Sequence, residues 1–221
     1  MKTTVISYFC DVDPNNTYYS SHAFHFIKNM QKLNMPYYVE EITSRGSYRS
    51  NCLYKPSFIL KCMEKINGPV IWLDIDSYVY KKLDMFENIN SDVVFATNSI
   101  NEKGNFIPKA SPIYLSGNEK SFEFINKWIE KCEYYLKNEK KFFDHEIMLE
   151  VLEEIQIEIG LVGSNFCLFA DSNYNKDDAV IVMGISDGDS KIRGLIDMGQ
   201  NKEQIIGNSA KNTYYTNKGI I

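Results

Sequence analysis

The sequence predicts an α/β protein: a mostly parallel central sheet flanked by helices on both faces. Two patterns carry that expectation. Short β-branched or aromatic runs alternate with amphipathic stretches, and one run, Val70–Leu73, is apolar at four consecutive positions. A strand with no polar face must be covered on both sides, the condition of a strand inside a helix-covered parallel sheet. The length, 221 residues, suits one domain over 1–221, which would bury roughly 70% of its unfolded surface without needing disulfides or a structural metal.

Taken in order, Thr3–Cys10 is β-branched and aromatic and reads as the first strand. A DVDPNN turn follows, then a helix over Tyr18–Leu33 with Phe24, Ile27, Met30 and Leu33 on one face. Pro36 stops it, and Tyr37–Ile42 is the next strand. Arg45–Ser50 is polar, contains glycine and reads as a loop. Pro56 then opens a helix to about Ile66, because proline is tolerated in a first turn. Gly68-Pro69 turns the chain into Val70–Leu73. Asp92–Thr97, Ser111–Leu115 and Val180–Ile185 are further strands, Lys120–Leu136 and Asp144–Ile155 further helices, and the tail from about Gly199 is expected to be loosely ordered.

Composition removes several classes of function. With 24 Lys+Arg against 29 Asp+Glu the net charge is −5, and a mildly acidic chain without a basic stripe is a poor nucleic-acid binder. No apolar run approaches the roughly 18–20 residues of a membrane span. The opening MKTTVISYFCDVD lacks the segments of a secretory signal. Five cysteines (Cys10, Cys52, Cys62, Cys132, Cys167) without a CxxC pair read as free thiols in a reducing compartment. A cytoplasmic setting is therefore expected. The aromatic load is high, with 15 Tyr, 13 Phe and 2 Trp.

The chemistry concentrates where Val70–Leu73 runs into Asp74-Ile75-Asp76. Ligands bind at the carboxyl ends of strands in open α/β sheets. Two carboxylates one residue apart can both reach a hard divalent cation such as Mg²⁺ or Mn²⁺, whose shell substrate phosphates commonly complete. The alternative is that one aspartate caps the following turn and the other is solvated.

The block GSYRSNCLYKPSFILKCMEKINGPVIWLDIDS resembles the nucleotide-diphosphosugar glycosyltransferases of the GT-A (Rossmann-like) fold, especially the small glycosyltransferase domains of large DNA viruses of the chlorella-virus type. The similarity runs from the first strand to SDGDSK. It implies transfer of a sugar from a nucleotide donor, usually UDP-linked, to a glycan or other hydroxyl acceptor. It also implies Mn²⁺ or Mg²⁺ bridging Asp74 and Asp76 to the diphosphate, and viral glycosylation in a host cytoplasm. The nucleotide-binding half would span about 1–97 and the acceptor half about 98–198, with a tail over 199–221. Met183-Gly184 stands where such enzymes often carry a histidine ligand, so Asp187, a carbonyl or water would complete the shell.

Further residues follow from this reading. Lys55 and Lys191 are candidate cations for the leaving diphosphate, with Ser186 beside the latter; either lysine could instead be a solvated surface residue. Ser7, Tyr8 and Phe9 at the end of the first strand are placed to offer backbone groups and a ring to uridine, with Tyr48, Arg49 and Asn51 closing over it. Tyr8 could equally be a core tyrosine and Arg49 a surface arginine, although guanidinium forks suit phosphate oxygens. In Phe142-Phe143-Asp144-His145-Glu146, Asp144 is the candidate catalytic base or acceptor ligand, or simply a helix N-cap. Asn98–Pro108 or Asp187–Lys191 would serve as a lid excluding water. His22 and His25 read as surface or packing histidines. Asp171–Asp178 lacks the glycine and closing glutamate of a calcium loop. Two other readings fit less well: a phosphatase of the haloacid dehalogenase type, whose Asp-x-Asp normally ends the first strand, and a non-catalytic sugar-nucleotide or glycan-binding module.

Overall fold

The computed structural model describes residues 2–11, 18–170 and 172–185. In chain order the first half runs β1 (Thr4–Phe9), α1 (Tyr18–Lys32), β2 (Tyr37–Glu41), α2 (Tyr48–Leu53), α3 (Lys55–Ile66), β3 (Val70–Trp72), β4 (Tyr78–Val79) and β5 (Val93–Ala96). The second half runs β6 (Ile113–Leu115), α4 (Glu119–Lys137), α5 (Asp144–Glu154), β7 (Ile159–Val162), β8 (Leu168–Phe169) and β9 (Ile181–Met183). The central sheet has the order β2-β1-β3-β6-β5-β7, and β4, β9 and β8 form a small second sheet. In the central sheet only β6 runs against its neighbours. The expected mixed α/β architecture with a mostly parallel sheet is therefore present.

Side chains alternate across the sheet and build a core on each face. Ile6, Val70, Trp72, Val93, Phe95, Ile113 and Leu115 face α3, α4 and α5, packing with Phe58, Ile59, Phe124, Trp128 and Met148. Val5, Ile71, Leu73, Val94, Ala96 and Tyr114 face the other way, onto Ala23, Phe26 and Met30 of α1 and onto Phe86 and Phe166. The four-residue apolar run is explained: its odd and even members fill different cores.

Three local expectations need correction. In α1 the buried face is His22, Ala23, Phe26, Asn29 and Met30, whereas Phe24 is 56% exposed. The helix turns Phe26 inward because Asn29 must reach β4, where it donates to Val79 O at 2.9 Å and accepts from Val79 N at 2.8 Å. Arg45–Ser50 is not a continuous loop: α2 begins at Tyr48, capped by Ser47 Oγ, which accepts from Ser50 N at 3.0 Å. Strands β4, β7 and β8 were not expected. The turn residues 12–17 and the tail beyond 185 lie outside the described residues.

The reversed strand shapes the site. Because β6 is antiparallel to β3, with Trp72 opposite Ile113, the residues entering β6 lie against the carboxyl end of β3. The β1–β3 ladder closes with Leu73 N donating to Ile6 O at 3.1 Å. Main-chain groups alternate in direction along a strand, so those of Tyr8 share Ile6's direction and face the gap beyond the end of β3.

Candidate active site

The carboxyl end of β3 turns sharply at Asp74–Ser77, where Ser77 N donates to Asp74 O at 3.0 Å. Asp74 is fixed from three sides. Its N–H donates to Ser111 Oγ at 3.0 Å, its Oδ1 accepts from Trp72 Nε1 at 3.0 Å, and the same oxygen lies 3.1 Å from Lys55 Nζ. Asp76 is partly buried in that turn, and its carbonyl accepts from Ile185 N at 3.2 Å. The segment after β9 thus begins beside the second aspartate.

Lys55 opens α3 and Asp144 opens α5. Lys55 Nζ sits 2.5 Å from Asp144 Oδ2, an ion-pair contact rather than an aligned hydrogen bond, and donates to Ala110 O at 3.3 Å. Side-chain exposure is 8% for Lys55, 11% for Asp144 and 35% for Asp74. Among the described residues, Lys55 and Asp144 are the only buried members of the Lys, Arg, Asp and Glu classes, and they touch. Burial pulls the Lys55 ammonium toward neutrality, but Asp144 and then Asp74 outweigh it and hold its pKa above the ordinary lysine value. Lys55 is charged.

Asp144 is not the helix cap. Phe143 occupies that position, and its N–H donates to Glu146 Oε2 at 2.8 Å, which leaves the Asp144 carboxylate turned toward Lys55. The Asp144 carbonyl accepts from the buried Trp128 Nε1 at 3.0 Å. Nearby, burial and then Asp144 push the Cys52 thiol upward, against Lys55.

The remaining expected residues divide into several groups. Ser7 is buried, and its Oγ donates to Leu73 O at 2.7 Å, which ties β1 to β3. The Tyr8 ring packs on Tyr54, Phe58 and Trp72, its hydroxyl donates to Asn51 O at 2.6 Å, and burial pushes its pKa up. Phe9 points to the opposite core, toward α1. Asn51 Oδ1 accepts from Arg45 N at 2.7 Å. Arg49 grips the segment before α5, donating to Phe142 O at 3.0 Å and to Lys140 O, and the Tyr48 ring meets Phe143. Lys55, Asp74 and Asp144 are therefore brought to one point, while Tyr48, Arg49 and Asn51 surround the loops leading there. Ser186, Asp187 and Lys191 lie outside the described residues.

Sequence reasoning missed Trp72 on the Asp74 carboxylate, Ser111 on the Asp74 N–H, Trp128 on the Asp144 carbonyl and Ala110, whose carbonyl accepts from Lys55. The signal that could have found the two tryptophans is general: a buried indole N–H usually requires a partner. The Arg45 guanidinium stacks 3.9 Å over the ring of Tyr54, the residue before Lys55 at the start of α3.

Among the described residues no group of three or more His, Cys, Asp or Glu side chains is arranged to hold a metal ion. Asp74 and Asp76, one residue apart on the turn after β3, are oxygen donors. Two carboxylates would suit a hard cation that takes its other ligands from water and phosphate, and are too few for a closed structural site.

No family model matches the chain, and no curated protein matches it by sequence. Solved structures similar to it include a glycosyltransferase involved in the glycosylation of the major capsid of PBCV-1. That match has a TM-score of 0.63 and 14% identity, and covers 89% of this chain and 100% of that one. At this identity the likeness shows the fold: the chain has a glycosyltransferase-like α/β architecture.

Proposed function

We propose that the protein is a metal-dependent glycosyltransferase that moves a sugar from a nucleotide-diphosphate donor, UDP-linked, to a hydroxyl of a glycan acceptor. The observation that carries the proposal is the meeting of Asp74 and Asp144 around Lys55, at the carboxyl end of a central strand of a glycosyltransferase-like fold. In this reading Asp74 and Asp76 hold Mn²⁺ or Mg²⁺. The bound ion supplies Lewis-acid stabilisation of charge developing on the leaving diphosphate.

The chain's own groups do the rest. Main-chain groups of Tyr8, facing the gap beyond β3, receive the nucleoside, with Arg45 and the Tyr48–Asn51 segment covering it. Asp144 faces the acceptor side and accepts the proton of the attacking hydroxyl or orients that hydroxyl. Lys191 and Ser186 follow Ile185 in sequence and are assigned to the diphosphate. The loop over 98–108 has exposed Ile100 and Phe106 bridged across it. It is pinned at its base by Lys109 N donating to Ala96 O at 3.0 Å and leads directly to Ser111, which suits it to be a lid that limits donor hydrolysis. No helix among the described residues is long and apolar enough to cross a membrane.

A panel of UDP- and GDP-sugars, assayed for donor hydrolysis and transfer with and without Mn²⁺, tests the proposal. Metal-dependent turnover of a UDP-sugar that Asp76→Ala abolishes is expected. Release of phosphate from generic phosphomonoesters would favour a phosphatase. Metal-dependent UDP binding without turnover on any acceptor would favour a binding module.

A further inference from the structure

Lys55 joins four separated pieces of chain at one atom: its own helix start, the end of β3, the start of α5 and the residue before Ser111. Three oxygens lie within contact of Nζ, at 2.5 Å (Asp144 Oδ2), 3.1 Å (Asp74 Oδ1) and 3.3 Å (Ala110 O), and the Trp72 ring lies 5.4 Å away. One of these is a hydrogen bond, to Ala110 O, and two are ionic contacts, so protein oxygens already surround the ammonium and its three N–H groups. A phosphate would have to displace them from a side chain that is 8% exposed.

The geometry points to Lys55 as a positioning residue, a buried cationic yoke that fixes the spacing between Asp74 and Asp144 and touches neither donor nor acceptor. This inference rests on the glycosyltransferase reading and assigns Lys55 a part different from that of a diphosphate ligand. Each carboxylate residue has its own tryptophan tie, Trp72 Nε1 on Asp74 and Trp128 Nε1 on the Asp144 carbonyl. Lys55 is the contact that links the two sets. The donor-side and acceptor-side carboxylates are thereby kept in register, and a displacement of about 1 Å at such a site is enough to cost about 100-fold in rate.

The test compares wild type, Lys55→Met, Asp144→Asn, the double variant Lys55→Met/Asp144→Asn, and Asp76→Ala as control. Steady-state kinetics are combined with calorimetric titration of UDP in the presence of Mn²⁺. Lys55→Met is expected to lower kcat about 100-fold or more while donor KM and UDP affinity stay within about 3-fold of wild type, the pattern of a lost transition-state alignment. Asp144→Asn, costly alone, should cost no more than about 3-fold further in the Lys55→Met background, because the two residues act as a unit. If Lys55→Met does not fold, the double variant, which buries neither charge, carries the binding test, and wild-type-like UDP affinity supports the yoke. A rise of about 10-fold or more in UDP Kd or donor KM in either variant would overturn it, as would full additivity of the two kcat losses. If Lys55→Met behaves as wild type while Asp76→Ala is dead, only the yoke fails. If wild type binds no UDP with Mn²⁺, or Asp76→Ala is fully active, the glycosyltransferase reading fails and takes the yoke with it.

Discussion

Removing charge at the Lys55–Asp144 contact should destabilise the fold in a pattern that only a coupled buried pair produces. Lys55→Met deletes contacts at 2.5, 3.1 and 3.3 Å at once and leaves the buried Asp144 carboxylate facing Asp74. An uncompensated buried charge of this kind costs about 3–5 kcal/mol. Asp144→Asn keeps the shape of the side chain and leaves Lys55 with Asp74 and Ala110 O. Its cost should be smaller, that of one charged contact whose cation keeps its other partners, about 1.5–3 kcal/mol. In the double variant no buried charge remains at the contact, so its loss should fall short of the sum of the singles by about 1.5 kcal/mol or more. Urea unfolding at pH 7 reads all three, with Trp72 and Trp128 as intrinsic probes because both indoles are buried and hydrogen-bonded at the site. Equal m-values with additive losses, within about 0.5 kcal/mol, would mean that the two groups are not paired in solution.

Two further outcomes are expected. Trp128→Phe removes the donor to the Asp144 carbonyl and part of a fully buried ring; it should cost about 2–4 kcal/mol by urea unfolding and lower activity more than donor affinity. Stability should also fall in alkali: burial pushes the Cys62 thiol up to about 12 and Cys167 to about 11, and raises Cys52 and Cys132 in the same direction. The folded state holds these protons more tightly than the unfolded chain. The associated stability is therefore full below the unfolded thiol pKa of about 8.5 and is lost as pH climbs through the folded values. Urea midpoints measured between pH 7 and 10.5 check it, and a midpoint that does not decline above pH 9 would contradict it.

The sheet and most helices were legible because their signals are local. Val70–Leu73 announces a doubly covered strand, Pro56 a helix start, and the Asp74-Ile75-Asp76 step the turn at the carboxyl end of β3. The face of α1 was misjudged because Phe24 is apolar but Phe26 and Asn29 are fixed by a long-range contact with β4. Strand β7 was missed although Ile157–Val162 is apolar enough, because as an edge strand it leaves Ile159 and Leu161 half-exposed and is recognisable only from its pairing with β5. The two-residue strands β4 and β8 of the small sheet carry no readable period, whereas β9 is marked by its apolar run. At the site, Lys55, Asp74 and Asp144 were each visible from residue type and position. Their convergence was not, because it depends on the reversed strand β6 delivering Ala110 and Ser111 to the end of β3, and on Arg49 and Trp128 holding the start of α5.

A crystal structure with UDP and Mn²⁺ would show whether Asp74 and Asp76 hold the donor. The expected result is a pyrophosphate at the turn after β3, bridged by the cation to carboxylate oxygens of Asp74 and Asp76, with uridine over the end of β1 and Asp144 open to the acceptor side. Nucleotide bound elsewhere, or a cation that leaves both aspartates facing bulk water, would contradict it.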